Sequence, residues 1–322
     1  MYLGTTMKPP RTLKPPRLKK HDLIGLVTPA SPIADASRIE KGVQYLERLG
    51  YNVAVGENVG KARGYLGGSD EERLDDLHRF FADHRVKGIF AIRGGYGTPR
   101  LLPKLNYGLI SRNPKILVGF SDVTALQLAL WKRCSLITFH GPMAGVEMAA
   151  TIDPFTEDMF WRSVTSTKRI GRIKFPDNAR PTVLYPGTAV GRLVGGNLSL
   201  IVSLLGTRYF PVATNSILFL EEIAEEPYRV DRMITQLHNA GTLAGCNAVL
   251  TGRFTDCVPK DPSKPSLSVE QILNETAAQS ATPFLSNLPF GHVPLKMTLP
   301  VGLRVRVDTS VPSVEYLEAA VR

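Results

Sequence analysis

The sequence predicts an α/β protein: an N-terminal doubly wound, mostly parallel sheet, followed by a smaller, β-rich α+β domain. Three observations carry this. Short apolar runs alternate with amphipathic segments up to about residue 165, the pattern of strands joined by crossover helices. The texture then changes: "RIGRIKFPDNARPTVLYPGTAVGRLVGG" is rich in proline and glycine and poor in helical signals. The chain has 322 residues, 43% apolar and 21% charged, enough for two globular domains of ordinary size. These features divide it into a basic proline-rich arm (1–20), an N-terminal α/β domain (21–165), a linker (166–187) and a C-terminal domain (188–322).

The first domain reads in order. "LIGLVTPA" is a buried strand ending at Pro29. Ile39, Val43 and Leu46 fall at helical spacing, and Gly50 stops that helix. "YNVAVG" is a second strand. Ser69 and Glu72 form a capping box for a helix through Leu74, Leu77 and Phe81. "KGIFAIRGGYG" is a third strand running into a glycine-rich loop, "KILVGF" a fourth with "SDVTALQLALWKR" as its helix, and "SLITFHGP" a fifth. Ligands of such sheets gather at the carboxyl ends of the strands, where the glycine loop, Ser121 and His140 all fall. In the second domain "TAVGRLVGG", "SILFLEEI", "NAVLTGRF", "FLSNLPFGH" and "LRVRVDT" are candidate strands. One helix begins near Pro227 and another covers "SVEQILNETAAQ". Mixed α+β or barrel-like packing is expected there.

Composition excludes several classes. The net charge is +10, from 39 basic and 29 acidic residues. Lys8, Arg11, Lys14, Arg17, Lys19 and Lys20 supply six of those units, leaving +4 on the body. The arm reads as solvated chain, and the body shows no interleaving of aromatic and basic residues, so no nucleic-acid partner is expected. No apolar run is long enough to span a bilayer, and the amino terminus lacks a secretory pattern; a cytoplasmic protein without a membrane partner is expected. Cys134, Cys246 and Cys257 have no paired spacing, so neither a disulfide framework nor a zinc site is indicated.

Four places can carry chemistry. Ser121 lies at a strand-to-helix junction, where serine is a favoured N-cap and also where a nucleophile elbow would stand. The stretch Gly119-Phe120-Ser121-Asp122-Val123 departs from G-x-S-x-G, so local sequence leaves both readings open. "RGGYG" (Arg93 to Gly97) has three glycines in four positions; it is either a tight turn or an oxyanion donor facing Ser121, and it matches no dinucleotide or P-loop spacing. Of six histidines, His140 and His292 end apolar runs beside glycine or proline, and each could cap a turn or act as a base. Glu221 follows an apolar strand, and a carboxylate there is costly unless paired. Glu222, Glu225 and Glu226 read as solvated acids. Glu221 and Glu222 point to opposite faces, so only one can serve the site.

Taken together, "LIGLVTPASP", "IRGGYG", "GFSDVTAL", "FHGPM", "GRLVGGNLSLI", "LFLEEIAEEPYRVDRMITQL" and "LPFGH" resemble the LD-carboxypeptidase family of serine peptidases, which includes muramoyltetrapeptide carboxypeptidase and the microcin C self-immunity proteins. The resemblance covers the chain from about residue 16. It implies a Ser121–Glu221–His292 triad split across the two domains, with the backbone N–H groups of Gly95 and Asp122 as oxyanion donors. It implies a first domain like the class I glutamine amidotransferase sheet, a homodimer, and no metal or other cofactor. The implied substrate is a murein tetrapeptide that loses its terminal D-alanine. Hydrolysis of an amide in a peptide-nucleotide antibiotic and non-catalytic binding of cell-wall peptides are the alternatives. Arg93, Tyr96, His140 and Arg232 are candidate substrate contacts, with Arg93 or Arg232 for the free carboxylate.

Overall fold

The computed structural model describes residues 12–322. The first eleven residues of the arm lie outside it. The first sheet is built from β1 (Leu23–Val27), β2 (Asn52–Val55), β3 (Val86–Ala91), β4 (Ile116–Gly119) and β5 (Thr138–His140), all parallel. α1 (Ser37–Arg48), α2 (Asp70–Ala82), α3 (Tyr107–Arg112), α4 (Val123–Cys134) and α5 (Pro154–Thr165) cover it. The capping box at α2 forms: Ser69 Oγ accepts from the Glu72 N–H at 3.2 Å, and Glu72 Oε2 accepts from the Ser69 N–H at 2.8 Å. Strand order reverses at β1, which has β2 on one side and β3 on the other. The loops after β1 and β3 therefore open a crevice at the carboxyl edge.

The second sheet has eight strands: β6 (Gly171–Arg172), β7 (Thr182–Tyr185), β8 (Thr188–Asn197), β9 (Ser216–Ile223), β10 (Ala248–Thr255), β11 (Phe284–Ser286), β13 (Arg304–Asp308) and β14 (Ser313–Tyr316). It is not a barrel. β8, β9, β10 and β11 run parallel, with α6 (Leu198–Leu204), α7 (Pro227–Asn239), α8 (Thr242–Gly245) and α9 (Val269–Ser280) in the crossovers. The outer strands are antiparallel. The molecule is thus a two-domain α/β protein with two mixed sheets.

Three boundaries differ from the sequence reading. The segment 166–187 is more than a linker, because β6 and β7 pair within the second sheet. β12 (Leu299–Val301) leaves the second domain and pairs antiparallel with β5, ending the first sheet. Residues 12–20 are not solvated chain. The Leu13 N–H donates to the Ser135 carbonyl at 2.8 Å, the Arg17 N–H donates to the Arg322 carbonyl while the Arg322 N–H donates to the Pro15 carbonyl, and Leu18 is buried. Two leucines among the basic residues are enough to dock that stretch. Among the described residues, no helix is long and apolar enough to cross a membrane.

Candidate active site

Ser121 follows β4 and has φ +61°. A non-glycine residue held in the left-handed region costs on the order of 1 kcal/mol, and the turn carries that cost just before α4. The residue before the helix is Asp122, and no side chain caps the first turn of α4. Ser121 is therefore not an N-cap; the turn presents its hydroxyl instead. Crowding explains the adjacent glycine: a Cβ on Gly94 would stand 2.8 Å from Ser121 Cβ. Gly95 has φ +112°, and a Cβ there would collide with the Ser31 side chain. Ser31 clamps the loop, donating its N–H to the Gly94 carbonyl at 3.3 Å and accepting the Tyr96 N–H on Oγ at 3.0 Å.

Asp122 joins the elbow to the glycine loop. Its buried Oδ2 accepts the Thr98 N–H at 2.8 Å, and the Thr98 hydroxyl donates to the Asp122 carbonyl. Burial holds this carboxyl above its usual range, against the pull of the Thr98 bonds. The backbone N–H groups of Gly95 and Asp122 meet no acceptor among the described residues.

Glu221 sits near the end of β9, opposite Asn197 at the end of β8. That end of β8 presses on α4: the Asn197 N–H donates to Thr124 Oγ1 at 3.1 Å, and Gly196 leaves no room for a Cβ against Thr124. Nucleophile helix and acid strand are thus packed through one contact. Glu221 is fully buried, and its Oε2 lies 2.8 Å from His292 Nδ1. An ionised carboxylate only accepts, so Nδ1 carries the proton and Nε2 is left as an acceptor. The edge of Phe120 packs on the His292 ring at 5.0 Å between centroids. Ser121, His292, Arg93, Gly94 and Gly95 line one cavity of about 480 Å³. A larger cavity, about 790 Å³, lies against residues 293–295 and includes neither Ser121 nor His292. The smaller one holds the candidate chemistry.

The remaining predicted residues separate. Arg93 lines the cavity and spends one donor on the Pro32 carbonyl at 3.2 Å. Tyr96 is exposed and stands edge-on to Tyr65 at 5.6 Å, beside the cavity but outside its lining. Arg232 lies on an exposed face of α7 over Tyr228 and does not reach the site. His140 is 2% exposed, inside a box of Phe120, Phe219 and Phe290. Burial, then the charges of Lys296 and His292, push its pKa down to about 3; it stays neutral and is not part of the lining of the cavity that holds Ser121. Glu222 is buried rather than solvated, accepting bonds from Asn197, Ser199 and the Ile223 N–H. Sequence reading missed Ser31 and Thr98. The signal available for Ser31 was a small polar residue just past the carboxyl end of β1. Among the described residues no group of three or more His, Cys, Asp or Glu side chains is arranged for a metal.

Comparison with known proteins gives the same direction. Residues 24–141 match the LD-carboxypeptidase N-terminal domain and residues 190–307 the LD-carboxypeptidase C-terminal domain. A probable murein peptide carboxypeptidase of Bacillus subtilis is 37% identical over 299 residues, covering 92% of this chain and 92% of its own. A muramoyltetrapeptide carboxypeptidase structure from Oxalobacter formigenes superposes with a TM-score of 0.80 at 30% identity, over 91% of this chain and 97% of its own. An MccF-like structure from Bacillus anthracis gives 0.85 at 28% identity, over 94% and 99%. With both of its domains matched in order and a relative of this identity along nearly its full length, the chain belongs to the LD-carboxypeptidase family.

Proposed function

We propose that the protein is a serine carboxypeptidase that releases the terminal D-alanine of murein tetrapeptides by cleaving an L,D peptide bond. The observation that carries this is the 2.8 Å pair of buried Glu221 and His292 on the cavity that also holds Ser121 in its left-handed turn. His292 Nε2 takes the Ser121 proton as Oγ attacks the carbonyl, and Glu221 stabilises the imidazolium. The Gly95 and Asp122 N–H groups receive the oxyanion. His292 returns the proton to the leaving amine, D-alanine departs, and water attacks the acyl-enzyme by the same relay. Arg93 is the guanidinium placed to hold the substrate's free carboxylate. Relatives named for murein peptides support this substrate class.

Hydrolysis of a peptide-nucleotide amide is the second reading, supported by the likeness to MccF-like structures. The test is incubation with L-Ala-γ-D-Glu-meso-diaminopimelate-D-Ala, with free D-alanine measured. Release by the wild type and its loss in Ser121→Ala are expected. Absence of release by the wild type rejects the carboxypeptidase; release undiminished in Ser121→Ala rejects the nucleophile.

A further inference from the structure

The cavity holding Ser121 carries both signs of charge. Its described lining contains one acid, Asp35, and two guanidinium groups, Arg38 and Arg93. Arg38 is committed to the wall: Nε donates to the Gly145 carbonyl at 2.7 Å and Nη2 to the Val146 carbonyl at 2.9 Å. Asp35 is held in place but not neutralised. Its Oδ1 accepts the Ser37 N–H at 3.0 Å, and no described cation forms an ion pair with it within 4.0 Å. The hydrogen bonds from Ser37 keep its carboxyl below the usual range, so it is an anion at neutral pH. The same lining includes the apolar side chains of Ile33, Phe120, Met143 and Val146.

The two charged loops come from either side of the point where strand order reverses: Asp35 follows β1 and Arg93 follows β3. A ligand in this crevice thus meets both a carboxylate and a guanidinium, on the adjoining loops that follow β1 and β3. A cavity that joins apolar side chains with an unpaired carboxylate fits an aliphatic stem that ends in an ammonium group.

We propose that Asp35 is a specificity-determining residue that receives the side-chain ammonium of the diamino acid on the acyl side of the scissile bond. This rests on the carboxypeptidase reading and deepens it.

Two tetrapeptides isolate the charge: L-Ala-γ-D-Glu-L-Lys-D-Ala and its norleucine counterpart, which removes the ammonium at nearly constant shape. The readout is the ratio of kcat/KM for D-alanine release. The wild type is expected to favour lysine by roughly fivefold, the scale of a solvent-exposed ion pair, and about 0.5 M salt should shrink that preference. In Asp35→Asn the ratio should fall below about twofold, and Asp35→Glu should restore it. Norleucine turnover reports whether each variant is folded. A wild type that treats both peptides alike, or an Asp35→Asn variant that keeps the preference, overturns the role of Asp35 and leaves the carboxypeptidase standing. Release from the diaminopimelate tetrapeptide but from neither of these also overturns the role of Asp35, and release from none of the three overturns the reading beneath it.

Discussion

Glu221 and Glu222 are neighbours on β9 and face opposite ways. Glu221 meets the imidazole of His292; Glu222 meets Asn197 and Ser199 at the start of α6. On the proposed mechanism Glu221→Gln removes the partner that stabilises the imidazolium, so kcat should fall by about three to four orders of magnitude, read from D-alanine release. Glu222→Gln disturbs a buried acceptor instead. Its expected signature is a loss of about 1–3 kcal/mol in urea unfolding with most of the activity retained. His140 gives a pH prediction. Its native pKa of about 3 lies below the ordinary 6.5, so between those values the unfolded chain binds a proton that the native state refuses. Its effect on stability is absent above pH 6.5 and grows as pH falls below it, at about 1.4 kcal/mol per pH unit. Neither ring nitrogen has a partner among the described residues. His140→Phe should therefore flatten the acid side of the stability curve, measured by urea unfolding at about pH 7 and about pH 5.

At the scale of elements, the site depends on two loops being held stiff. The glycine loop is pinned by Ser31 on one side and Asp122 on the other. Gly95→Ala would strain a residue at φ +112° and drive a methyl into Ser31. With the Gly95 N–H as the proposed oxyanion donor, displacing it this way should lower kcat by about a hundredfold or more, with KM little changed. The segment from β11 to β12 carries His292 from one sheet to the other. Its anchor is Lys296, buried and paired with Glu147, with Nζ 4.0 Å from the Phe120 ring centroid. Glu147 also accepts the Met143 N–H at 2.9 Å, so one ion pair braces the base-bearing segment and the cavity wall. Lys296→Met leaves the partly buried Glu147 carboxylate without its cation. A loss of about 3 kcal/mol is expected, and in the folded fraction kcat should fall more than KM rises. Lys296→Met combined with Glu147→Leu should recover much of the stability in chemical unfolding but not the activity.

Across the whole molecule, the two sheets are tied twice. β12 closes the edge of the first sheet beside β5, and residues 12–18 bind both Ser135 and the carboxyl-terminal segment. A fragment of residues 12–187 would lose β12 and expose β5 as an unpaired edge. It should aggregate or fail to fold, whereas the full chain should unfold in one transition, as scanning calorimetry of both would show. The proposed division of the site between the two sheets gives such a tie a role. Ser121 belongs to one sheet and Glu221 to the other, and a shift of about 1 Å between them would cost on the order of a hundredfold in rate.

Local physics made much of this legible in the chain. Periodicity marked β1 to β5 and α1, α2 and α4; Ser69 and Glu72 announced a helix start; an apolar run ending in Glu221 announced a carboxylate in need of a partner. These follow from residues close in sequence, which is why spacing alone reveals them. What tertiary structure decided involves residues far apart. The helix-cap reading of Ser121 fell to a backbone angle and to Asp122 standing before α4, neither of which residue spacing reveals. Glu222 proved buried because Ser199 and Asn197 come to it, and His140 proved inert because three phenylalanines enclose it. Short strands such as β6 and β12 carry too few residues for a pattern and exist through their partners. The bipolar cavity likewise appears only when Asp35 and Arg93, 58 positions apart in the chain, are brought to adjoining loops by the reversal of strand order at β1.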